Sequence, residues 1–139
     1  MTNTFKAASS LPVIGRQLMA AIFLLSGVGK LAAPAMTIGY IASIGLPFAT
    51  LGFILAVVVE VGGGLLLALG YQTRLTALAL AIFSVVTGVI FHHAFGDQNQ
   101  MIHFLKNLAI AGGLLQVAAF GAGAFSLDNR AAKLLRQAA

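Results

Sequence analysis

The feature that most constrains this chain is an apolar run from Pro47 to Gly70 that contains one charged residue, Glu60. The run is long enough to cross a bilayer as a single helix. A carboxylate near the middle of such a helix costs a few kcal/mol even on lenient insertion scales, so it must find a partner or give up its charge. We therefore expect another segment to supply that partner.

One face of this predicted helix is suited to close packing. At 3.6 residues per turn, Glu60 shares a face with Ala56, Gly63, Gly64 and Leu67. Small residues let a neighbouring backbone approach, which is how helices associate in lipid. Two interpretations stay open for Glu60: a protonated acid hydrogen-bonded inside a packing interface, or part of a ligand, proton or quinone site.

The composition indicates a membrane protein of one domain. Hydrophobic residues make up 60% of the 139 residues and charged residues 8%, with a mean hydropathy of +1.00. A water-soluble globule of this size could not cover so much apolar surface with polar groups. The lipid bilayer is therefore the first partner that the sequence predicts.

Charge and cysteine content exclude several function classes. The net charge is +5, but the basic residues lie at predicted helix ends and in the tails, without interleaved aromatic residues. This distribution is not that of a nucleic-acid-binding surface. The chain has no cysteine, which excludes disulfides, zinc–thiolate sites and iron–sulfur clusters within it. Any redox role would need a bound molecule or a partner protein.

The apolar segments predict an all-α membrane protein, an antiparallel four-helix transmembrane bundle. A signal peptide competes for the first segment, but three further apolar segments follow it. A tight turn joins the second and third segments, with Gly70 suited to a helix C-cap and Thr73 to an N-cap. The predicted spans are 11–33, 47–70, 75–95 and 103–125, with a short interfacial helix at 35–45 and a basic tail at 126–139.

The basic residues also predict an orientation, because loops rich in lysine and arginine stay in the cytoplasm. Six of them fall on the side of the termini and two on the other, so both termini are expected in the cytoplasm. The tail carries leucines opposite its basic residues, which predicts a surface helix on anionic lipid. The six are Lys6, Arg16, Arg74, Arg130, Lys133 and Arg136, and the two are Lys30 and Lys106.

Two basic residues on the first span could form an ion pair with Glu60. Lys30 follows Arg16 by close to four helical turns, so the two side chains point in directions that differ by only about 40°. They therefore share a face of the helix with Ser26 and Gly27. Arg16 could approach the carboxylate from the inner side and Lys30 from the outer side. Both also suit membrane-interface anchors, and this interpretation is favoured for Arg16.

The outer half of the predicted bundle collects most of the remaining polar side chains, above Glu60. An anionic or electron-rich headgroup would be stabilised by these donors, and a histidine there could exchange a proton near neutral pH. Metal or haem is a weaker alternative, because His92 and His93 diverge by about 100° on a helix and no HExxH motif is present. The polar set consists of Lys30, His92, His93, His103, Lys106 and Asn107.

An ordered set of motifs resembles the DoxX family of small bacterial inner-membrane proteins. The motifs run from Arg16 to Asp128 and include SGVGKL from Ser26, EVGGGLLLALG from Glu60, FHH from Phe91, FLKNLAIAGGLL from Phe104 and FSLD from Phe125. The resemblance implies four membrane helices in the bacterial inner membrane and a place near respiratory redox chemistry, as in subunits of quinol oxidases and of other oxidoreductase complexes. The matching polar positions are Lys30, Glu60, Arg74, His92, Lys106, Asn107 and Asp128.

The leading hypothesis is a quinone- or quinol-associated subunit of a membrane redox system, working with other redox proteins. The headgroup would lie among Lys30, Glu60, His92 and Lys106, with Asn107 as a further contact, and Glu60 and His92 would transfer protons. Thiol chemistry of wider relatives does not transfer, because this chain lacks cysteine. The alternatives are a structural or assembly subunit without catalysis and a small proton or organic-anion transporter, which would need to form a homo-oligomer. The sequence leaves open whether the chain is an enzyme.

Overall fold

The computed structural model describes residues 2–138, with side chains from residue 10 onward, and this part of the chain contains helices and no strands. Four stretches are long and apolar enough to cross a membrane: Ser10–Ala32, Ala49–Leu69, Thr73–Phe91 and Gln98–Phe120. The predicted all-α four-helix membrane fold is thereby confirmed. The helices are α1 (Thr2–Ala32), α2 (Pro34–Ser43), α3 (Ala49–Val57), a π-helical turn (Val58–Gly62), α4 (Gly63–Leu69), α5 (Thr73–Phe91), α6 (Gln98–Phe120) and α7 (Leu127–Ala138).

The bundle is built from two antiparallel pairs. The second span, which runs through α3, the π-helical turn and α4, packs along α1, while α6 packs along α5. Leu67, Leu80 and Leu114 are fully buried where these pairs meet. Leucine and valine side chains elsewhere on the spans point outward, which is the pattern of helices that face lipid. On the second span three residues of the predicted packing face, Glu60, Gly64 and Leu67, are buried. The other two, Ala56 and Gly63, are half-buried.

Close approach between α1 and the second span depends on Gly27. A Cβ atom at Gly27 would lie 2.6 Å from Val61 Cγ2 and 3.2 Å from Glu60 Cβ, whereas a Cβ atom at Gly29 would meet nothing within 4 Å. The absence of a side chain at Gly27 therefore lets the two helices pack backbone to backbone beside Glu60.

The Gly27→Ala variant should therefore lose stability while Gly29→Ala, on the same helix, should not. Overpacking at Gly27 is expected to lower the free energy of unfolding by about 1–3 kcal/mol. Gly29→Ala is expected to leave it unchanged or raise it by up to about 1 kcal/mol, because alanine favours the helix. Equilibrium unfolding in detergent compares the two, and equal stabilities would contradict the close packing at Gly27.

Several helix ends differ from the sequence-based expectation. Helix α6 begins at Gln98 rather than near His103, because the Asp97 carboxylate accepts hydrogen bonds from the backbone amides of Asn99 and Gln100. It ends at Phe120 rather than near Phe125. The residue that follows, Gly121, has φ 85°, which is incompatible with a continuing helix.

Two further helix ends differ from the predicted bounds of the spans. Helix α5 stops at Phe91 rather than near Phe95, so both of the following histidines lie outside the helix. Helix α1 begins at Thr2, well before the predicted start of the first span, and contains Pro12.

The short helix expected in the first connection is present as α2, with Pro34 at its first position. It packs on α3, where Ile41 is buried, and its Tyr40 ring stacks on Phe91 at the end of α5, with 5.8 Å between ring centroids. Helix α2 therefore covers the end of the bundle at which α1 finishes.

The turn between the second and third spans is capped by a distant residue. Gly70 has φ 67° and ends α4, as predicted. Thr73, predicted as the N-cap of α5, is instead its first helical residue. The cap comes from Asp128, whose carboxylate oxygens accept from the backbone amides of Gln72 at 2.8 Å and Thr73 at 2.9 Å. No local sequence pattern could reveal a cap supplied from the start of α7.

This cap makes stability depend on acid pH. Burial raises the pKa of Asp128, but hydrogen bonds from Thr73 and Gln72 and the positive charge of Arg16 outweigh it, so the pKa lies below its usual 3.8. The pKa of Asp128 is lower in the folded protein than in the unfolded protein, so its carboxylate stabilises the fold fully at any pH above the unfolded pKa. This contribution is lost as the pH falls through the folded pKa.

We therefore expect Asp128→Asn to lower the free energy of unfolding by about 1 kcal/mol at pH 7, because asparagine keeps one acceptor but loses the second carboxylate oxygen and the negative charge at the start of α5. Below about pH 4 the difference should shrink, because the wild-type carboxylate becomes protonated. Unfolding in detergent at both pH values measures this, and a difference independent of pH would rule out the charged cap.

Candidate functional site

The candidate site is an ion pair between α1 and the second span. Lys30 Nζ lies 2.9 Å from Glu60 Oε1 and 2.8 Å from Oε2, and it also donates to Ser26 Oγ at 2.8 Å. The Ser26 hydroxyl donates to Glu60 Oε1 at 3.2 Å. Of the two basic residues considered as partners of Glu60, Lys30 is the one that forms the ion pair. We call Ser26, Lys30 and Glu60 the polar triad.

Each member of the triad is placed by its helix. Ser26 and Lys30 are four residues apart and therefore neighbours on one face of α1. Gly27, between them, brings the second span close enough for the Glu60 carboxylate to reach both. The sequence spacing alone was sufficient to predict this shared face.

Glu60 lies on the π-helical turn, which the sequence did not predict. Such turns are rare and occur frequently at functional sites. They insert one extra residue, so the residues that follow are rotated by about 100° relative to a regular α-helix. As a result Glu60 points toward α1 while Gly63 packs against Leu80 of α5, where an added Cβ atom would lie 2.8 Å from Leu80 Cδ2. The π-helical turn therefore lets the second span pack against both α1 and α5.

The two charged members of the triad differ in exposure. The Glu60 side chain is 7% exposed and the Lys30 side chain 25% exposed. The carboxylate is thus enclosed between helices, whereas the ammonium group sits at the edge, near the C-terminal end of α1. A ligand that reaches the triad from outside would meet Lys30 first.

The structure places the other predicted site residues along α6 and the α5–α6 connection. His92 Nδ1 lies 3.0 Å from Gln100 Oε1, and the His92 ring stacks on His103 with 5.0 Å between centroids. His92 therefore contacts α6. No hydrogen bond joins it to the triad within the described part of the chain. His93 Nδ1 lies 3.0 Å from the Ile90 carbonyl oxygen, which satisfies it locally.

Lys106 and Asn107 are also not joined to the triad by hydrogen bonds. The Asn107 amide donates to the His103 carbonyl at 3.0 Å, and its Cβ atom lies against Gly88 of α5. Lys106 is exposed and makes no hydrogen bond or ion pair with any described residue. The predicted outer polar set is thus divided: Lys30 belongs to the triad, whereas His92 and His103 form a separate cluster with Gln100.

Arg16 is buried more deeply than Lys30, contrary to the interpretation favoured by the sequence. It was expected to be an interface anchor, but only 2% of it is exposed. Its guanidinium donates to the carbonyl oxygens of Ala122, of Phe125 at 2.9 Å and of Ala68 at 3.4 Å. Arg16 therefore holds the irregular segment between α6 and α7 against α1 and the C-terminal end of the second span. A hint in the sequence was the glycine-containing stretch after Phe120, which leaves backbone carbonyls without helical partners.

Comparison with known proteins agrees with this architecture. The DoxX family model matches residues 11–93. The chain is 40% identical over 119 residues to inner membrane protein YqjF of Escherichia coli K12, covering 84% of this chain and 88% of that protein. It is also 40% identical over 123 residues to inner membrane protein YphA of the same organism, covering 85% and 88%. No solved structure gives a significant match. A protein with four membrane-crossing helices that matches this model over its first three spans, Lys30 and Glu60 included, is a member of the DoxX family.

Proposed function

We propose that this DoxX-family protein is a quinone-associated subunit of a redox system in the bacterial inner membrane. The observation that carries the proposal is the Lys30–Glu60 ion pair, in which Glu60 lies on a π-helical turn of an otherwise apolar span. Ionisable residues inside membrane spans are costly, and they commonly mark a substrate, ion or proton pathway. The names of the two relatives support the location in the inner membrane.

The chemistry of the triad suits a quinone headgroup. Reduction of a quinone to a quinol takes two electrons and two protons. Lys30 would donate a hydrogen bond to one ring carbonyl, giving up one of its present bonds to Glu60 or Ser26. Glu60 would accept or return a proton at the ring oxygen, and a partner redox protein would supply or remove the electrons.

A groove beside the second span could hold the isoprenoid tail. It lies between the second and third spans, has a volume of about 330 Å³ and is lined mainly by apolar side chains. Val59, which precedes Glu60, and Gly63, three residues after it, form one wall, and Leu75 and Leu80 form part of the other. In this proposal His92, Lys106 and Asn107 form the outer part of the headgroup site, with His92 passing protons to water.

The proposal includes both termini in the cytoplasm, which places the triad toward the outer side. Because the chain contains no cysteine, single cysteines report the orientation directly. A Gln137→Cys variant in intact cells should resist a membrane-impermeant maleimide, and Gln98→Cys should react with it. The reverse pattern would invert the orientation and contradict the proposal.

Quinone content is tested on protein purified in mild detergent from its own membrane. Solvent extraction should recover quinone, and titration with a short-chain quinone should saturate. The Lys30→Met/Glu60→Met double variant should lose both, whereas Arg136→Gln, a charge change outside the proposed site, should lose neither. If no quinone is recovered from the wild type and none binds on titration, the proposal is wrong.

A structural role is the second candidate, and one observation favours it. Lys30 Nζ lies within hydrogen-bond distance of three acceptor atoms of the triad, so the pair is satisfied without any ligand. A pair of this kind can fix helix register without chemistry. This candidate predicts that Glu60→Gln lowers stability while the quinone-dependent redox rate of membranes stays unchanged.

A further inference from the structure

Helix α7 has two chemically distinct faces. Projected at about 100° per residue, its leucines and two of its alanines fall on one side, Lys133 and Arg136 fall on the far side, and Arg130 lies at the boundary, about 40° from Leu134. The apolar side is formed by Leu127, Ala131, Leu134, Leu135 and Ala138, and we call Arg130, Lys133 and Arg136 the basic side. A helix of this pattern must cover its apolar side with something.

The rest of the described chain does not cover that side. No residue of α7 is buried, and Leu134 and Leu135 are 67% and 73% exposed. The basic residues are also unpaired, since none of the three makes a hydrogen bond or ion pair with a described side chain. The helix thus offers an unsatisfied apolar surface and an unsatisfied positive charge together.

The start of α7 is fixed at the end of the bundle. The carboxylate of Asp128 caps α5, and the backbone amide of Asp128 donates to the Gly70 carbonyl oxygen at 3.0 Å. The Ser126 hydroxyl accepts from the Asn129 amide at 3.1 Å and begins the helix. Because Gly70 closes the second span, α7 starts at the level where the spans leave the membrane. An amphipathic helix that begins there is placed to lie along the membrane surface.

We propose that α7 docks on the membrane surface and binds anionic phospholipid headgroups through Arg130, Lys133 and Arg136. Its leucines enter the interface between headgroups and acyl chains. Charge complementarity selects the occupant. Asp128 is the one acidic residue of the helix and is already engaged at the α5 cap, so the free face is positive only. Each basic residue near an anionic surface contributes about fivefold to binding, so the three together contribute about a hundredfold.

The test uses the full chain reconstituted into vesicles, with an environment-sensitive fluorophore on Leu134→Cys, the only cysteine. Lipids brominated in the acyl chain quench a label that enters the membrane, and iodide quenches one that stays in water. In phosphatidylcholine vesicles containing phosphatidylglycerol, we expect strong quenching by brominated lipid and little by iodide. A label on Gln137→Cys, on the polar side, should show the opposite pattern.

The charge contribution is isolated by adding Arg130→Gln, Lys133→Gln and Arg136→Gln to the labelled protein. In vesicles that contain phosphatidylglycerol, iodide should quench the label of this variant more strongly, and brominated lipid should quench it less. Neither quenching should depend any longer on the phosphatidylglycerol fraction of the vesicles. These residues lie outside the bundle, so the thermal unfolding temperature should stay at the wild-type value.

Three results would overturn the proposal. Iodide could quench the Leu134→Cys label fully in every vesicle, which would leave α7 in water. Quenching by brominated lipid could be the same with and without phosphatidylglycerol, which would remove the charge-dependent site. Unlabelled Leu134→Cys could form disulfide-linked dimers while the labelled protein shows no quenching by brominated lipid, which would assign the apolar side to a second copy of the chain.

Discussion

Lys30→Met is expected to lower the free energy of unfolding by about 3 kcal/mol, the scale for removing one partner of a buried ion pair. The cost arises because Glu60, enclosed between α1 and the second span, would keep only the Ser26 hydroxyl as a hydrogen-bond donor. Glu60→Gln should cost less, about 1 kcal/mol. Its amide still accepts from Ser26, and the partly exposed Lys30 can extend its ammonium group toward water.

The double variant Lys30→Met/Glu60→Met separates stability from function. Replacing a buried ion pair by apolar residues of similar size is often neutral or stabilising. We therefore expect the double variant to unfold within about 1 kcal/mol of the wild type. Under the quinone proposal the same protein should bind no quinone, whereas under the structural candidate the redox rate should be unaffected.

Lys106→Met provides the matched control for the stability measurements alone. Lys106 is exposed and has no partner among the described residues, so its replacement is expected to change the free energy of unfolding by less than about 0.5 kcal/mol. Denaturant titration of all four variants in one detergent gives the comparison. If Lys30→Met proved as mild as Lys106→Met, the ion pair would make no important contribution to the bundle.

Sequence reasoning succeeded where a pattern within one helix decides the structure. Glu60 in an apolar span required a partner, and the spacing of Ser26 and Lys30 placed a suitable one on a single face of α1. Gly70 ended its helix because a left-handed backbone conformation favours glycine. These outcomes depend on helix period, side-chain length and steric limits, all of which can be read locally.

Sequence reasoning failed where two segments distant in the chain meet. Asp128 caps α5 across a separation that no spacing rule covers, and the π-helical turn at Glu60 adjusts one span to two neighbours at once. His92 was predicted to lie within the third span, yet α5 ends before it, and its ring contacts Gln100 instead. Tertiary packing decided each of these positions.

Arg16 shows most clearly what a long-range contact adds. A basic residue near the end of a span usually extends to the interface. Here the guanidinium instead replaces the missing helical partners of the carbonyls at Ala122 and Phe125, in the irregular segment between α6 and α7. Arginine suits this task because its planar group carries five donors in fixed directions.

Arg16→Met is expected to lower the free energy of unfolding by about 3–5 kcal/mol, because several part-buried carbonyl oxygens would lose a charged donor together. Arg16→Lys should recover only part of that loss, since a single ammonium group cannot reach the carbonyls of Ala122, Phe125 and Ala68 together. Arg74→Met is the matched control. Arg74 is an exposed arginine beside Gly121, and its replacement should cost less than about 0.5 kcal/mol.

The same substitution should also weaken the attachment of α7. The positive charge of Arg16 helps to hold the pKa of Asp128 low, so its removal should move the acid-induced loss of the α5 cap to higher pH. Hydrogen exchange of the amides of Gln72, Thr73 and Asp128 should accelerate in Arg16→Met before the four spans unfold. If those amides stayed as protected as in Arg74→Met, Arg16 would stabilise only its own helix, and α7 would need a different anchor.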